Sequence, residues 1–579
     1  MLSNHEVADV FAAIADTLEI LGEDRFRVQA YRRGAEAVID LPEPLSRYRD
    51  RHALEAIPGI GKTFAEKITE LLDTGELELY MRLAKQVPPG VRELLRVPNL
   101  GPRTAGRLYS ELGVAGLADL KRAATDGRLR GIKGFGDKTV AAILVSIAAI
   151  EARGDRTLRY DALRSALALC VGLRAQGVGT IDIAGELRRG YPTVDELRLL
   201  ATTDAADQTL DAFCALPAIA QIATRDATAV TVILQNGQRA TLATATPGQR
   251  GALLLWHTGD AAHLAELTAR AAPMGIQLSV TGLVNSAGKP LDCPDERTLY
   301  TRLDLPFIDA ELRDQPDVLA RATRGALPTL IVASELRADL HMHSTWSDGT
   351  ASIAAMAAAA QARGYGHMAI TDHGAYLGVT NGLDAARLRA QAAEVADLNA
   401  AFAAQGSNFR ILHGVEVDIL ADGALALADD VLAQLDIVIA APHVSLRQNA
   451  AEATARIVRA IRNPHVDIIG HPTGRLIGRR EGLPIDIDTI AAEAAARGTL
   501  LEVNCGPDRL DLDAELIRRA LTHGAQFTID SDAHHPDNLE WITLGIDTAR
   551  RGGVSAALVA NTWECAALLQ HVGAREEQQ

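Results

Sequence analysis

The sequence predicts a multidomain chain of mixed α and α/β class: a helical N-terminal region, a central α/β portion and a C-terminal βα barrel. Three observations carry this expectation. The chain has 579 residues, several times an ordinary domain length. A short glycine-containing turn recurs three times before residue 140. Beyond residue 335, seven β-like runs alternate with helical stretches.

Hydrophobic residues at 48% and charged residues at 23% are ordinary globular usage. No uncharged apolar run reaches the roughly 18 residues a membrane span needs, so no membrane association is expected. Met1 is followed by Asn4, His5, Glu6 and Asp9 rather than by a basic and then an apolar stretch. No secretory leader is expected, and the expected location is the cytoplasm, in association with the nucleoid. Cys170, Cys214, Cys293, Cys505 and Cys565 are scattered, odd in number and without a C-x-x-C pair, which excludes a disulfide framework or a thiolate zinc site as the expectation.

The net charge of −16 argues against a chain that coats nucleic acid along its whole length. The distribution is uneven, however. Residues 1–150 hold 21 basic and 21 acidic side chains, and residues 91–150 carry an excess of five positive charges. Nucleic-acid contact is therefore expected early in the chain.

Val7, Val10, Phe11, Ile14, Leu18, Ile20 and Leu21 recur at helical spacing. Then come Leu54-Glu-Ala-Ile-Pro-Gly-Ile-Gly-Lys62, Val97-Pro-Asn-Leu-Gly-Pro-Arg103 and Ile132-Lys-Gly-Phe-Gly-Asp-Lys138, each running into a helical stretch. Gly59, Gly61, Gly101, Gly134 and Gly136 let a backbone approach an anion closely. The N–H groups and positive dipole end of each following helix face that anion, and Lys62, Arg103 and Lys138 add charge. One copy alone would serve a helix-turn-helix corner about as well as a phosphate grip. Three copies favour binding of the DNA backbone without sequence readout, the pattern of helix-hairpin-helix motifs.

After Asp155 the texture changes. Thr180 to Ala184, Leu197 to Ala201, Ala229 to Leu234 and Ala240 to Ala243 read as strands between helical stretches. Leu291 to Arg313 reads as a compact helical piece and Asp314 to Glu335 as a connector. The final portion runs through Ala338 to His341, His367 to Thr371, Arg410 to Val417, Ile437 to Ala441, Ile468 to Gly470, Leu500 to Asn504 and Gln526 to Ile529. Seven strand-helix units predict a βα barrel.

Twelve of the 16 histidines lie beyond residue 340, and six of the seven barrel strands end in or near a metal-ligand type. The set is His341, His343, Asp348, His373, Glu416, His443, His471, Asp532 and His534. The H-x-H and D-x-H pairs have the period that puts both side chains on one face of an extended segment. Such nitrogen and oxygen donors suit two or three divalent ions, Mn or Zn. An ion cluster of this kind hydrolyses phosphoesters, because it acidifies a water and stabilises the leaving oxyanion. The catalytic group is then the metal-activated water. Arg475 and Arg509 follow strand ends and are candidates for phosphate contact, with surface salt-bridging an equal alternative. His367, His413, His465, His523, His535 and His571 read as packed or surface residues.

The nine-residue set resembles that of the polymerase-and-histidinol-phosphatase (PHP) domain, whose fold is a distorted seven-stranded βα barrel with a trinuclear metal site. With the helix-hairpin-helix motifs, Gly185-Glu-Leu-Arg-Arg-Gly190 and Leu299 to Arg313, nearly the whole chain resembles the bacterial family X DNA polymerases. The resemblance implies a lyase-like helical domain with a helix-hairpin-helix at 1–85, a fingers-like helix-hairpin-helix domain at 86–153 and a nucleotidyltransferase-like palm at 154–245. A thumb at 246–315, a linker at 316–334 and the PHP domain at 335–579 complete it. It implies gapped, nicked or abasic DNA as partner, gap-filling synthesis in base excision repair, and PHP-borne 3′–5′ exonuclease and abasic-site processing. No protein partner is implied.

One departure falls where synthesis would occur. The family carries a D-x-D pair on one palm strand and a third Asp on a neighbouring strand. Here Glu196 and Arg198 occupy the first two positions and Thr241 the third. Shifting the register by one gives Asp195 and Leu197, which is no pair either. A guanidinium in a Mg site repels the ion, by roughly 4 kcal/mol per unit-charge product at ~4 Å even at an effective dielectric of ~20. Glu186 replaces the family Ser after the first Gly, and Thr258-Gly-Asp-Ala-Ala-His263 replaces T-G-S-x-x-H. Mg in the palm is therefore not expected, and nucleotidyl transfer is expected to be weak or absent. The leading expectation is a PHP phosphodiesterase on a DNA-holding scaffold. The alternatives are a working gap-filling polymerase with unusual metal ligands and a non-catalytic DNA-binding repair adaptor. Lyase activity through Lys62, Lys67 or Lys85 is left open.

Overall fold

The structure is a computed structural model that describes residues 4–39, 45, 48, 54–55, 57, 60–74, 77–84, 86–97, 100–132, 134–153, 156–376 and 380–577. The chain divides into two compact units, residues 1–154 and 155–579.

In the first unit the apolar stripe of helix Asn4–Ile20 buries Val7, Phe11, Ile14 and Leu18 against helix Arg25–Ile39. Phe64, from helix Lys62–Thr74, meets Phe11 and Tyr31 edge-on with ring centres 5.3 and 5.0 Å away. A second core, of Val91, Leu94, Leu108, Leu120 and Ile143, joins helices Pro102–Leu112, Leu117–Thr125 and Asp137–Arg153. The two cores meet closely: a Cβ on Gly106 would lie 2.2 Å from the Ile20 carbonyl oxygen.

The second unit opens with β1 (Thr157–Leu158), which pairs antiparallel with β3 (Thr193–Val194). A five-stranded sheet follows, built from β2 (Thr180–Ala184), β4 (Glu196–Thr202), β5 (Ile219–Arg225), β6 (Ala229–Leu234) and β7 (Arg239–Ala245) in the order β2-β4-β7-β6-β5. Within it β4 and β7 run parallel, and the other neighbours run antiparallel. Leu197 and Leu199 enter the main core of this sheet, while Leu200 packs with Leu253 and Leu254 of helix Arg250–Thr258. The edge strand β5 was not expected from the sequence. It is bulged and almost wholly exposed, so it lacks the apolar alternation that marks a half-buried strand.

Next come helix Ala261–Ala271, a hairpin of β8 (Ile276–Ser279) and β9 (Gly282–Asn285), and helix Glu296–Arg302. The piece expected to be helical from Leu291 to Arg313 is helical only at Glu296–Arg302 and in a single turn at Ala310–Leu312. Its buried Glu296 joins the fully buried Arg313 at 2.8 Å and Arg188 at 2.5 Å. Burial opposes ionisation, but the two guanidinium groups outweigh it and hold the Glu296 carboxyl down to about 2. The stretch expected to be a connector is itself packed. Helix Val318–Thr323 sends Val318 and Ala322 into the preceding core, and Ile331 enters the barrel core.

The barrel consists of β10 (Ala338–Asp339), β11 (His367–Ile370), β12 (Arg410–Asp418), β13 (Ile437–Ala441), β14 (Ile468–Ile469), β15 (Leu500–Asn504) and β16 (Phe527–Asp530), all parallel and in sequence order. These strands are buried on both faces apart from Arg410, as helix-covered parallel sheets are. The ring closes irregularly through a single Met342–Ala533 bridge. Beside it Asp530 accepts the Leu340 N–H and Asp339 the Ser531 N–H. Helix Ile542–Gly552, which follows β16, carries Arg551, which donates to the Arg189 carbonyl at 2.9 Å and pairs with Asp314 at 2.6 Å. Its guanidinium lies over the Tyr191 ring, 3.8 Å from the centre.

Candidate metal centre

Parallel barrel strands direct their C-terminal ends to one rim. His341 and His343 follow β10, with Met342 between them turned into the core. His373 follows β11, Glu416 lies in β12, His443 follows β13, His471 follows β14, and Asp532 and His534 follow β16. Asp348 enters from the loop after His343. The rim brings all nine side chains together. Ligand atoms of His343, Asp348, His373 and His534 lie within 4.8 Å of one another, as do those of His341, His343 and Asp532, and those of His373, Glu416 and His443. His343 and His373 each belong to two groups and link them.

Glu416 stands between the groups. Its carboxylate is 2.8 Å from His373, 3.1 Å from His443, 2.9 Å from His471 and 3.4 Å from His341. Burial opposes its ionisation, yet the surrounding imidazoles keep its carboxyl well below the usual range. Asp532 behaves likewise, held down chiefly by His341 and His343 against burial. The imidazoles divide. Burial and the neighbouring rings lower His343 to about 3. Against the opposing effect of burial, Glu416 and Asp418 raise His443 to about 9, and Asp348 and Asp532 raise His534 to about 9.

A divalent ion fits this donor set. The buried atoms His341 Nε2, His343 Nδ1, His471 Nδ1 and Glu416 Oε2 make no hydrogen bond. Buried polar atoms are rarely left unpaired, and imidazole nitrogen with carboxylate oxygen is the chemistry of Zn and Mn sites.

The sequence did not reveal the residues that support these side chains. Glu502 lies 2.6 Å from His341 Nδ1, and Asp418 lies 3.1 Å from His443 Nδ1. Asn504 donates to Asp532 at 3.0 Å. Asp372 accepts from the backbone and hydroxyl of both Ser344 and Ser347 and from Gln391, which ties down the loop bearing Asp348. The available signal was a charge inside an apolar run, as in Leu500-Leu-Glu-Val-Asn504.

The two arginines differ. Arg475 donates to the carbonyls of Arg509 and Leu510 and pairs with Asp513 at 3.0 Å, so its guanidinium is engaged within its own loop. Arg509 makes no side-chain hydrogen bond or ion pair among the described residues, and its charge contributes, after burial, to lowering His471 to about 4. The other six histidines beyond residue 340 lie outside the cluster. His413 bonds Gln391, His571 the Gly498 carbonyl, and His523 lies 3.4 Å from Asp488. His535 accepts the Asp537 N–H, burial lowers His367 to about 4, and the His465 N–H bonds Asn463.

In the palm-like sheet, register sets Arg198 opposite Thr241 on parallel strands. Arg198 pairs with Glu196 at 2.9 Å, and the Thr241 hydroxyl donates to the other Glu196 oxygen at 2.6 Å. A lone carboxylate capped by a cation and a hydroxyl does not fit Mg. Glu186 is turned to Arg156 at 2.8 Å and to the Asp195 N–H at 3.0 Å.

In the first unit Ile60, Leu100, Ile132 and Phe135 point inward, while Gly61, Gly101, Gly134 and Gly136 lie at exposed turns. A Cβ on any of these four glycines would meet no atom within 4 Å. Lys62, Arg103 and Lys138 are exposed at the first turns of the following helices. Gly59 lies outside the described residues.

Exposed glycine turns followed by cations, and a barrel rim where metal-ligand side chains converge, are the features of a DNA-binding protein that carries a PHP barrel. The family models agree: a helix-hairpin-helix domain matches residues 2–77 and a SAM-like helix-hairpin-helix tandem residues 91–149. A DNA polymerase beta thumb matches residues 253–314, and a PHP domain residues 339–504. The DNA polymerase/3′-5′ exonuclease PolX of Bacillus subtilis (strain 168) is 37% identical over 560 residues, 96% of this chain and 97% of that protein. A probable phosphatase of Thermoanaerobacter sp. (strain X514) is 32% identical over 162 residues, 26% of this chain and 64% of its own length. The chain belongs to the family X DNA polymerases that carry a C-terminal PHP domain. Among the described residues no helix is long and apolar enough to cross a membrane.

Proposed function

We propose that the barrel is a metal-dependent phosphodiesterase acting as a 3′–5′ exonuclease and as a processing nuclease at abasic sites and blocked 3′ ends. In this reading the palm-like sheet has little or no polymerase activity. The observation that carries it is a contrast within one chain: nine ligand-type side chains converge on the barrel rim, whereas the palm position holds a Glu196–Arg198 ion pair.

Two or three Mn or Zn ions held by the nine side chains would supply Lewis acidity and an acidified water. The protein's own groups do the rest. Glu416 and Asp532, kept ionised by their imidazole neighbours, hold negative charge at the centre of the rim. Arg509, without a side-chain hydrogen bond or ion pair among the described residues, offers a guanidinium to a substrate phosphate. The glycine turns with Lys62, Arg103 and Lys138 grip the DNA backbone, and gapped, nicked or abasic DNA is the substrate. A reduced cytoplasmic setting fits five free cysteines.

The test is one labelled primer on a gapped template with Mn, with and without dNTPs, scored for shortening and lengthening in the same gel. Shortening alone supports the proposal. Lengthening supports the second reading, a working gap-filling polymerase, which is favoured by full-length similarity to a protein named as both polymerase and exonuclease.

A further inference from the structure

Of the seven barrel strands, β15 alone contributes none of the nine ligand-type side chains. It contributes Glu502 instead, a fully buried carboxylate in the middle of the strand. A charge there is costly unless paired and hydrogen-bonded, and its partners are two members of the rim and an asparagine that reaches a third. One oxygen is 2.6 Å from His341 Nδ1. The other accepts the His471 backbone N–H at 2.5 Å and a 3.3 Å contact from the Asn504 amide, which also donates to Asp532 at 3.0 Å. Ligand segments from β10, β14 and β16 are thereby tied to one side chain.

From this geometry we infer that Glu502 is a positioning residue, required for ion binding by the His341, His343 and Asp532 group rather than for the fold. An imidazole has two nitrogens, and the partner of one decides what the other presents. A hydrogen bond from Nδ1–H to Glu502 leaves the His341 Nε2 lone pair facing Glu416 and Asp532, at 3.4 and 3.6 Å. Supporting carboxylates of this kind orient the ring and raise its basicity. Glu502 also restrains His471, whose φ of 25° lies in the sparsely populated left-handed region. Asp418 stands in the same relation to His443, in the group with His373 and Glu416. It provides an internal comparison.

The inference rests on the reading that the rim binds metal, and binding measurements separate the two. Full-length protein is stripped with chelator and titrated with Mn2+ alone by calorimetry, and Zn2+ content is measured after dialysis. Glu502→Ala is expected to bind one ion fewer, or to bind it about 10–100-fold more weakly. Glu502→Gln, whose amide oxygen still accepts from Nδ1, should fall between Ala and wild type. Asp418→Asn should weaken a different ion, so that combining it with Glu502→Ala removes two. Unchanged ion number and affinity in both Glu502 variants, with only a lower melting temperature, would overturn the positioning role. Loss of all ions together in the near-isosteric Glu502→Gln would also overturn it. A wild-type protein that takes up no divalent ion would overturn the metal reading itself, and the inference with it.

Discussion

Arg198 Nε lies 2.9 Å from a carboxylate oxygen of Glu196, its neighbour two positions back on β4. Glu196 therefore has its counter-ion built into the strand. Arg198→Asp alone should leave primer extension undetectable, because Thr241 still lacks a carboxylate. Glu196→Asp, Arg198→Asp and Thr241→Asp together place three carboxylates on neighbouring parallel strands. That triple variant is expected to gain Mg-dependent lengthening of a gapped primer. An inert triple variant with intact exonuclease would show that these three positions alone do not decide synthesis.

Changing both His341 and His343 to Ala removes donors from two of the three ligand groups. Cleavage of 3′-labelled DNA should fall at least ~1,000-fold, since the acidified water is the nucleophile. Affinity for the same DNA should stay within about twofold. A filter-binding assay run beside the cleavage assay checks the division; joint loss of both activities contradicts it.

The exposed cations at the three glycine turns should act as counter-ion releasers. Replacing Lys62, Arg103 and Lys138 by Ala is expected to flatten the slope of log affinity against log salt by about 0.9 per lost contact, roughly three units in all. An unchanged slope in a duplex titration would remove the phosphate-grip reading.

His263 should contribute to acid sensitivity. Burial, aided by Arg313, lowers its pKa from 6.5 to about 3, and its Nε2 lies 2.7 Å from the Tyr300 hydroxyl. Between those two values the unfolded chain holds a proton that the folded chain lacks. Stability therefore falls as pH drops through this window and is not restored within it. His263→Gln should melt with a shallower pH dependence from about 6.5 down to 3, read by circular dichroism. A slope equal to wild type would mean that His263 does not contribute.

Much of the rim was legible because histidine is uncommon and its H-x-H and D-x-H spacing is local. His341 and His343 are separated by one residue, and β-strand periodicity alone assigns them a shared face. Glu502 was illegible for the converse reason. It meets His341 across 161 positions, and no local pattern marks such a meeting. Strand β5 was missed because its side chains are mostly exposed, and the 316–334 segment was read as a connector because its packing depends on distant Val554 and Arg550, both of which meet Ile331. The role of Arg475 turned on loop geometry, namely the carbonyls of Arg509 and Leu510, which composition does not encode.

The Arg551 guanidinium, seated on Tyr191 and satisfied by Arg189 and Asp314, fastens the barrel to the segment between β2 and β3. With the Arg159–Asp547 pair and the Tyr160–Glu540 contact, it ties residues 159–191 to helix Ile542–Gly552 and to the turn before it. Cutting the chain at residue 334 would leave the buried Arg551 cation without Asp314 and the half-buried Asp547 without Arg159. Residues 155–334 therefore brace the barrel as well as precede it in the chain.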